Sequence, residues 1–162
     1  MERLYNIVGR RLPSHRIRAT WLRFAGAAIG DGTVIGLGTR VHGPSHLSIG
    51  PHCSIGDHCL LDARGGITIE HDTVFDHDVQ LIAGHHDVHS SDFGNVFMSI
   101  EIGHHAWVAC RVLVTGGVRI GDGAVVEPCS MVRSDIAAMA IASGIPATAT
   151  ATRTSPLSYR PV

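Results

Sequence analysis

Twelve of the 162 residues are histidines. Many stand beside an acid or another histidine: His71-Asp72, His77-Asp78, His85-His86-Asp87 and His104-His105. Imidazoles titrate near neutrality, so one can take a proton from an attacking hydroxyl and return it to a leaving group. Gly84-His85-His86-Asp87 differs from the other pairs by position. It ends a regular run, and Asp87 to Glu101 then interrupts the pattern. A long loop in a regular scaffold usually carries function. His86, with Asp87 after it, is therefore the candidate general base, and His85 is the alternative. No Ser or Cys lies in a recognisable nucleophile motif, which favours direct attack over a covalent intermediate. The bland reading of any histidine is a turn residue without a chemical role. We read His52, His58, His71, His77, His104 and His105 that way, as surface turns.

The run that His86 ends has a period of six. Its opening residues are Ile29, Ile35, Val41, then Ile49, Ile55, Leu61, then Ile69, Phe75, Leu81. After the interruption come Ile102, Val108, Val114, Ile120, Val126 and Val132. All fifteen are apolar in a chain that is 44% hydrophobic. A fixed short period marks a solenoid, and six is the period of a parallel β-helix. Three short strands per coil make a triangular prism, with each opening side chain pointing to the axis. Coils take 20 residues before the loop and 18 after it. The second position is often Gly, as at Gly30, Gly36, Gly50, Gly56, Gly103 and Gly121, which suits a tight corner. Cys53 and Cys59 fall at the fifth position, where a small interior residue is expected.

Residues 1–28 lie outside this pattern. Leu4, Ile7 and Val8 suggest a short helix. Pro13-Ser14 offers a start signal for a second, whose apolar side would hold Ile17, Trp21, Leu22 and Phe24. Six arginines, Arg3, Arg10, Arg11, Arg16, Arg18 and Arg23, face one acid, Glu2. They read as a solvated face on helices that cap the open end of the solenoid, with contact to a phosphate or an anionic surface as the alternative. The prism then spans residues 29–148, with its loop at 87–101. The Ala-Thr run that follows Pro146 and the tail at 149–162 are expected to be peripheral.

Bulk properties narrow the function. A net charge of −1 leaves no nucleic-acid footprint. The four cysteines, Cys53, Cys59, Cys110 and Cys129, form no C-x-x-C pair, against a zinc ribbon or a redox motif. No apolar run suits a signal peptide or a membrane span, so a cytoplasmic protein is expected.

At this point the residues carry a resemblance. Trp21-Leu-Arg-Phe-Ala-Gly-Ala-Ala-Ile-Gly30, Gly84-His-His-Asp87, Ile102-Gly-His-His-Ala-Trp107 and Ser143-Gly-Ile-Pro146 resemble the hexapeptide-repeat acyltransferases. The likeness covers about residues 16–148. It is greatest to the colanic-acid type sugar O-acetyltransferases of exopolysaccharide synthesis, then to the maltose and galactoside acetyltransferases. It implies an all-β fold, a left-handed parallel β-helix, although parallel crossovers are normally right-handed. It implies acetyl-CoA as co-substrate, a saccharide acceptor, and a homotrimer with active sites between neighbouring prisms. It puts the catalytic histidine on His86, with His85 where the family has Ser. It puts the indole beside coenzyme A on Trp107, and the small residues of the coenzyme groove on Ala109 and Cys110. Backbone N–H groups near Ala109 would hold the oxyanion. The acceptor-contacting position falls on Asp62. The family's Thr-Lys-Asp is Arg133-Ser134-Asp135 here, so Arg133 would supply the charge for a coenzyme phosphate. Its Asn-Pro-Gly turn is Thr115-Gly116-Gly117, and Thr148 stands where it has a basic residue, with Arg153 nearest.

Rival readings stay open. Transfer to an amino-sugar nitrogen or to serine uses the same scaffold. A γ-class carbonic anhydrase shares the fold and binds zinc through three histidines, which His86, His89, His104 and His105 would have to provide. Cys110 stands where the second histidine of its spaced pair belongs, so no metal is expected. A scaffold without catalysis is the remaining option.

Overall fold

A computed structural model describes all residues from Met1 to Val162. The hexads fold as the expected left-handed parallel β-helix, with three faces that share one axis. The first face stacks Ala28–Ile29, Leu47–Ile49, Ile67–Ile69, Ile100–Ile102 and Arg119–Ile120. The second stacks Val34–Ile35, Ser54–Ile55, Val74–Phe75, Trp107–Val108, Val125–Val126 and Ala140–Gly144. The third stacks Arg40–His42, Leu60–Asp62, Gln80–Ile82, Leu113–Thr115 and Met131–Val132. Pairing is in register from coil to coil, Ile49 on Ile69 and Val114 on Leu81, for example. All fifteen opening side chains are at most 8% exposed. Burying one such side chain is worth roughly 1.5–3 kcal/mol, so the stacked axis drives folding.

The corners explain the other positions of the hexad. At the fifth position Thr33 Oγ1 donates to Gly50 O at 2.6 Å, and Thr73 Oγ1 to Gly103 O at 2.8 Å. Cys59 takes the same place, its thiol meeting Asp76 O at 3.3 Å. Burial pushes the Cys53 thiol up to about 11 and Cys59 to about 12. Both are thus inert wall residues, as expected. At Gly36 a side chain would run into the backbone of Gly56 on the next coil, so only glycine fits.

The first coil has no predecessor to bond its carbonyls. Elsewhere those groups are used, as when Gly36 N–H donates to Ile55 O at 2.7 Å. Helix α1 (Glu2–Ile7) and helix α2 (His15–Phe24) lie against the first coil and supply the missing donors. Arg18 donates to Ile35 O at 2.9 and 2.7 Å, and also to Leu12 O. Arg23 reaches Ile29 O at 3.0 Å, Arg10 reaches Gly38 O at 3.2 Å, and Asn6 reaches Val41 O at 2.7 Å. This corrects the reading of the arginines as a solvated face: three of them cap the edge. The helices are also turned differently from their apolar pattern. Arg18, Ala19 and Leu22 are buried, while Ile17 is 50% and Phe24 77% exposed.

Two further differences concern the loop and the far end. The stretch after Leu81 is not irregular. Gly84–His86 and Asn95–Phe97 pair as an antiparallel hairpin, and Ile100–Ile102 already rejoins the first face. At the far end Ala147–Thr152 pairs antiparallel with Ala140–Gly144 and forms the edge strand of the second face.

Candidate active site

The hairpin replaces a corner. Where the third face turns to the first, the coils below use tight turns at Pro44–His46 and Ala63–Gly65. In the next coil that corner opens into Ala83 to Ser99. Its base is held by Met98, whose N–H meets Ala83 O at 2.9 Å. Added Cβ atoms at Gly65 and Gly116 would come within 2.9 Å of Met98 O, so glycines below and above let the hairpin re-enter. That accounts for glycine at position 116, in the turn that departs from the family's Asn-Pro-Gly.

His86 sits on the first hairpin strand, exposed. Its Nδ1 lies 2.9 Å from Phe93 O, and its ring stacks on Phe93 with centroids 4.4 Å apart and planes 7° from parallel. A carbonyl only accepts, so Nδ1 carries the proton in neutral imidazole and Nε2 holds the free lone pair. His85, also exposed, points from the neighbouring register position and pairs with Val96. Asp87 does not reach the imidazole. Its Oδ1 accepts the N–H of His89 at 2.9 Å, and its own N–H donates to Gly94 O at 2.9 Å. It shapes the hairpin tip. At that tip Asp92 accepts from the Ser90 hydroxyl, which holds its carboxyl below the usual range.

One coil below the hairpin, at the same corner, lies Asp62. Its side chain is 7% exposed. Arg64 grips it with two bonds, Nε to Oδ1 at 2.8 Å and Nη2 to Oδ2 at 2.6 Å. That fork holds the Asp62 carboxyl below the ordinary carboxylate range. The Arg64 guanidinium in turn stands 5.6 Å over the Phe97 ring of the hairpin. Sequence reasoning missed Arg64, because an arginine in a turn gives no sign of which acid it will meet. Arg133 follows Val132 at this corner, two coils above the hairpin, exposed and without an ion-pair partner.

The coenzyme candidates lie elsewhere on the prism. Trp107 is on the second face between Val74 and Val125, and is 41% exposed. Ala109 is buried at the corner that follows, and Cys110 is half-buried there. The N–H of Ala109 is spent on Val126 O at 2.9 Å, which removes it as an oxyanion donor; the N–H of Cys110 has no partner within the chain. One chain therefore gathers His86, Asp62 and Arg133 at one corner and Trp107, Ala109 and Cys110 around another face. The four histidines of the zinc reading are also divided. His86 and His89 are on the hairpin, and His104 and His105 are at the corner between the first and second faces.

That corner holds the other departure. His105 is 7% exposed and is no surface turn. Its Nε2 meets Tyr159 O of the tail at 3.0 Å, and Arg153 donates to its carbonyl at 2.9 Å. Arg153 is thus tied to the fold through its guanidinium.

Comparison with known proteins completes the picture. No protein-family model matches the chain. It is 36% identical over 133 residues, 82% of its length and 73% of the other, to a protein of Escherichia coli strain K12. That relative is assigned by name to colanic acid biosynthesis as the acetyltransferase WcaF. Among solved structures it superposes on a maltose O-acetyltransferase from Clostridium difficile 630, with TM-score 0.84 and 21% identity over 95% of this chain and 87% of that one. It also matches the hexapeptide-repeat acetyltransferase VCA0836 of Vibrio cholerae O1 biovar eltor, solved with acetyl coenzyme A, with TM-score 0.75. There the identity is 19% over 93% of this chain and 84% of the other. At such identities the two structures speak for the fold.

Proposed function

The chain belongs to the hexapeptide-repeat acetyltransferases, the family of its colanic-acid relative, and from that premise we propose that it transfers acetyl from acetyl-CoA to a saccharide hydroxyl with His86 as the base. The observation that carries the proposal is the Nδ1 contact of His86 with Phe93 O at 2.9 Å, which leaves Nε2 as the proton acceptor at an exposed edge. The acceptor hydroxyl attacks the thioester carbonyl. As the carbon–oxygen bond forms, Nε2 takes the hydroxyl proton. The tetrahedral oxyanion then collapses, the carbon–sulfur bond breaks, and the imidazolium returns its proton to the coenzyme A thiolate. The free N–H of Cys110 is the candidate oxyanion donor. Burial of Cys53 and Cys59 removes two thiols as rival nucleophiles.

Trp107 offers an exposed indole to the coenzyme, flanked by the small residues Ala109 and Cys110. Arg133, free of partners, offers a guanidinium to one of its phosphates. Asp62 contacts the acceptor from below the hairpin, with Arg64 fixing its rotamer. These roles need a second copy of the chain, since His86 and Trp107 stand on different sides of one prism. A homotrimer that sets the hairpin of one copy against the second face of the next supplies it. No helix is long and apolar enough to cross a membrane. Acetyl-CoA and four free thiols suit a cytoplasmic site of action.

The test is thiol release from acetyl-CoA across neutral sugars, amino-sugars, nucleotide-sugars and serine. Release with a sugar that carries only hydroxyls is the expected result. Turnover confined to amino-sugars or serine would replace the acceptor class, and no turnover with any would leave a scaffold.

A further inference from the structure

The corner between the first and second faces carries a second cluster of ionisable groups, remote from the hairpin. It follows from the stacking of coils. Asp72 and His105 are the left-handed residues of successive corners, with φ of 55° and 54°. The N–H of His105 bonds His71 O at 3.2 Å. Neighbouring coils stand about 4.8 Å apart, so side chains at equivalent corners face each other. One ligand atom each from His71, Asp72 and His105 lies within 4.8 Å of the others. His71 Nδ1 is 2.8 Å and His105 Nε2 4.0 Å from Asp72 Oδ2. His104 stacks on His71 with ring centroids 5.0 Å apart.

The carboxylate supplies an independent sign. Asp72 Oδ1 is buried and has no hydrogen-bond partner. The Arg160 guanidinium approaches it only to 3.9 Å. A buried polar atom without a partner is rare and calls for water or an ion. Hydrogen bonds elsewhere in the cluster do not satisfy it. His71 uses the other oxygen, and His105 Nε2 donates to the tail carbonyl of Tyr159 at 3.0 Å.

We propose that His71, Asp72 and His105 bind one divalent cation of the zinc class per chain. Two imidazole nitrogens and a carboxylate oxygen are a donor set of catalytic-type zinc sites, with the fourth position left to water. On binding, the metal takes the Nε2 lone pair of His105, whose proton moves to Nδ1 beside His104 Nδ1 at 3.1 Å while the bond to Tyr159 O is given up. On His71 the proton that Nδ1 shares with Asp72 moves to Nε2, so both rings stay neutral.

Cobalt(II), a visible stand-in for zinc, tests this with the full-length chain. Expected is saturation at one cobalt per chain, with the strong visible absorption of tetrahedral coordination, abolished by added zinc. His71→Ala changes a side chain that is 47% exposed. Asp72→Asn keeps a residue tolerant of the left-handed region. Each should weaken binding by more than about 10–100-fold, the range for losing an outer-shell partner. His58→Asn, at a left-handed corner outside the cluster, should bind as the parent does. Circular dichroism and a melting curve establish that each variant is folded. The proposal falls if the parent shows no saturable binding. It falls equally if both variants bind unchanged, or if His89→Ala in the hairpin removes the site instead.

Discussion

The imidazole of His86 lies flat on the ring of Phe93, 4.4 Å between centroids, while its Nδ1 meets the Phe93 carbonyl at 2.9 Å. Phe93 thus sets both the plane and the tautomer of the ring, although the two residues sit on opposite sides of the hairpin tip. Replacing His86 by Ala removes the proton acceptor. Turnover should fall by about 10²–10⁴, with the melting temperature nearly unchanged because the side chain is exposed. His85→Ala is the companion variant and should keep most of its activity. Steady-state kinetics on both decides. The reverse outcome moves the base by one residue, and retention by both removes it.

His86 and Trp107 cannot meet within one chain if the hairpin and the second face keep their places. If the proposed homotrimer forms, the His86→Ala and Trp107→Ala variants should each be impaired. Unfolded together and refolded as mixed trimers, they should regain activity above the sum of the separate preparations, because some sites pair an intact His86 with an intact Trp107. Light scattering that reports a monomer at micromolar concentration would end the shared-site reading outright.

Arg133 stands exposed and without a partner, two coils above the hairpin. A charge-assisted contact to a coenzyme phosphate is worth about 1.5–3 kcal/mol. Arg133→Ala should therefore raise KM for acetyl-CoA about tenfold or more and leave kcat close to the parent value. An unchanged KM would assign the phosphate to another group.

The axis of the prism was legible in the sequence because its physics is local: one apolar residue every sixth position, a small fifth residue, glycine at tight corners. Ile29 through Val132 all face inward as that pattern requires. Arg18 was not legible. Its role depends on an unpaired carbonyl, Ile35 O, that exists only because no coil precedes the first one. The hairpin was hidden for a related reason. Gly84–His86 and Asn95–Phe97 show no alternation of apolar and polar residues, since neither strand covers a core. His105 reads as a turn residue, which it is by its backbone. Its burial comes from Tyr159, 54 residues away in sequence.

Asp62 and Arg64 give a pH signature. The bidentate bond lowers the folded carboxyl below its unfolded value of about 3.9. A depressed folded value means stability that is present above the unfolded value and lost as pH falls through the folded one. Arg64 is 52% exposed, so solvent screening keeps the pair near the surface scale, about 1 kcal/mol. Asp62→Asn should be less stable than the parent by about that amount at pH 7, a shift of roughly 2–4 °C in Tm. The difference should begin to shrink below about pH 4, where the unfolded chain takes up its proton, and should be gone once pH has fallen through the lower folded value. Denaturant titrations of both proteins across that range measure it, and a constant difference would mean the pair is not the cause.

Arg18 closes the open end of the solenoid and should matter more than any surface charge. Its guanidinium is buried, with two bonds to Ile35 O and one to Leu12 O. Truncation to Ala leaves Ile35 O without a donor and opens a space under α2. An orphaned buried acceptor costs about 1–3 kcal/mol, and lost hydrogen bonds from a charged donor are of similar size. Arg18→Ala should lower the unfolding free energy by about 2–3 kcal/mol. Arg16→Ala, on the exposed side of the same helix, should stay within about 0.5 kcal/mol of the parent. In a solenoid each coil leans on its neighbours, so the loss begins at the end that is uncapped. Hydrogen exchange should therefore quicken first at the N–H groups of Val34 and Gly36, which bond the second coil at Cys53 O and Ile55 O. Protection at Val108 and Val126 should last longest. Uniform loss across all coils would mean that Arg18 stabilises the whole chain rather than its edge.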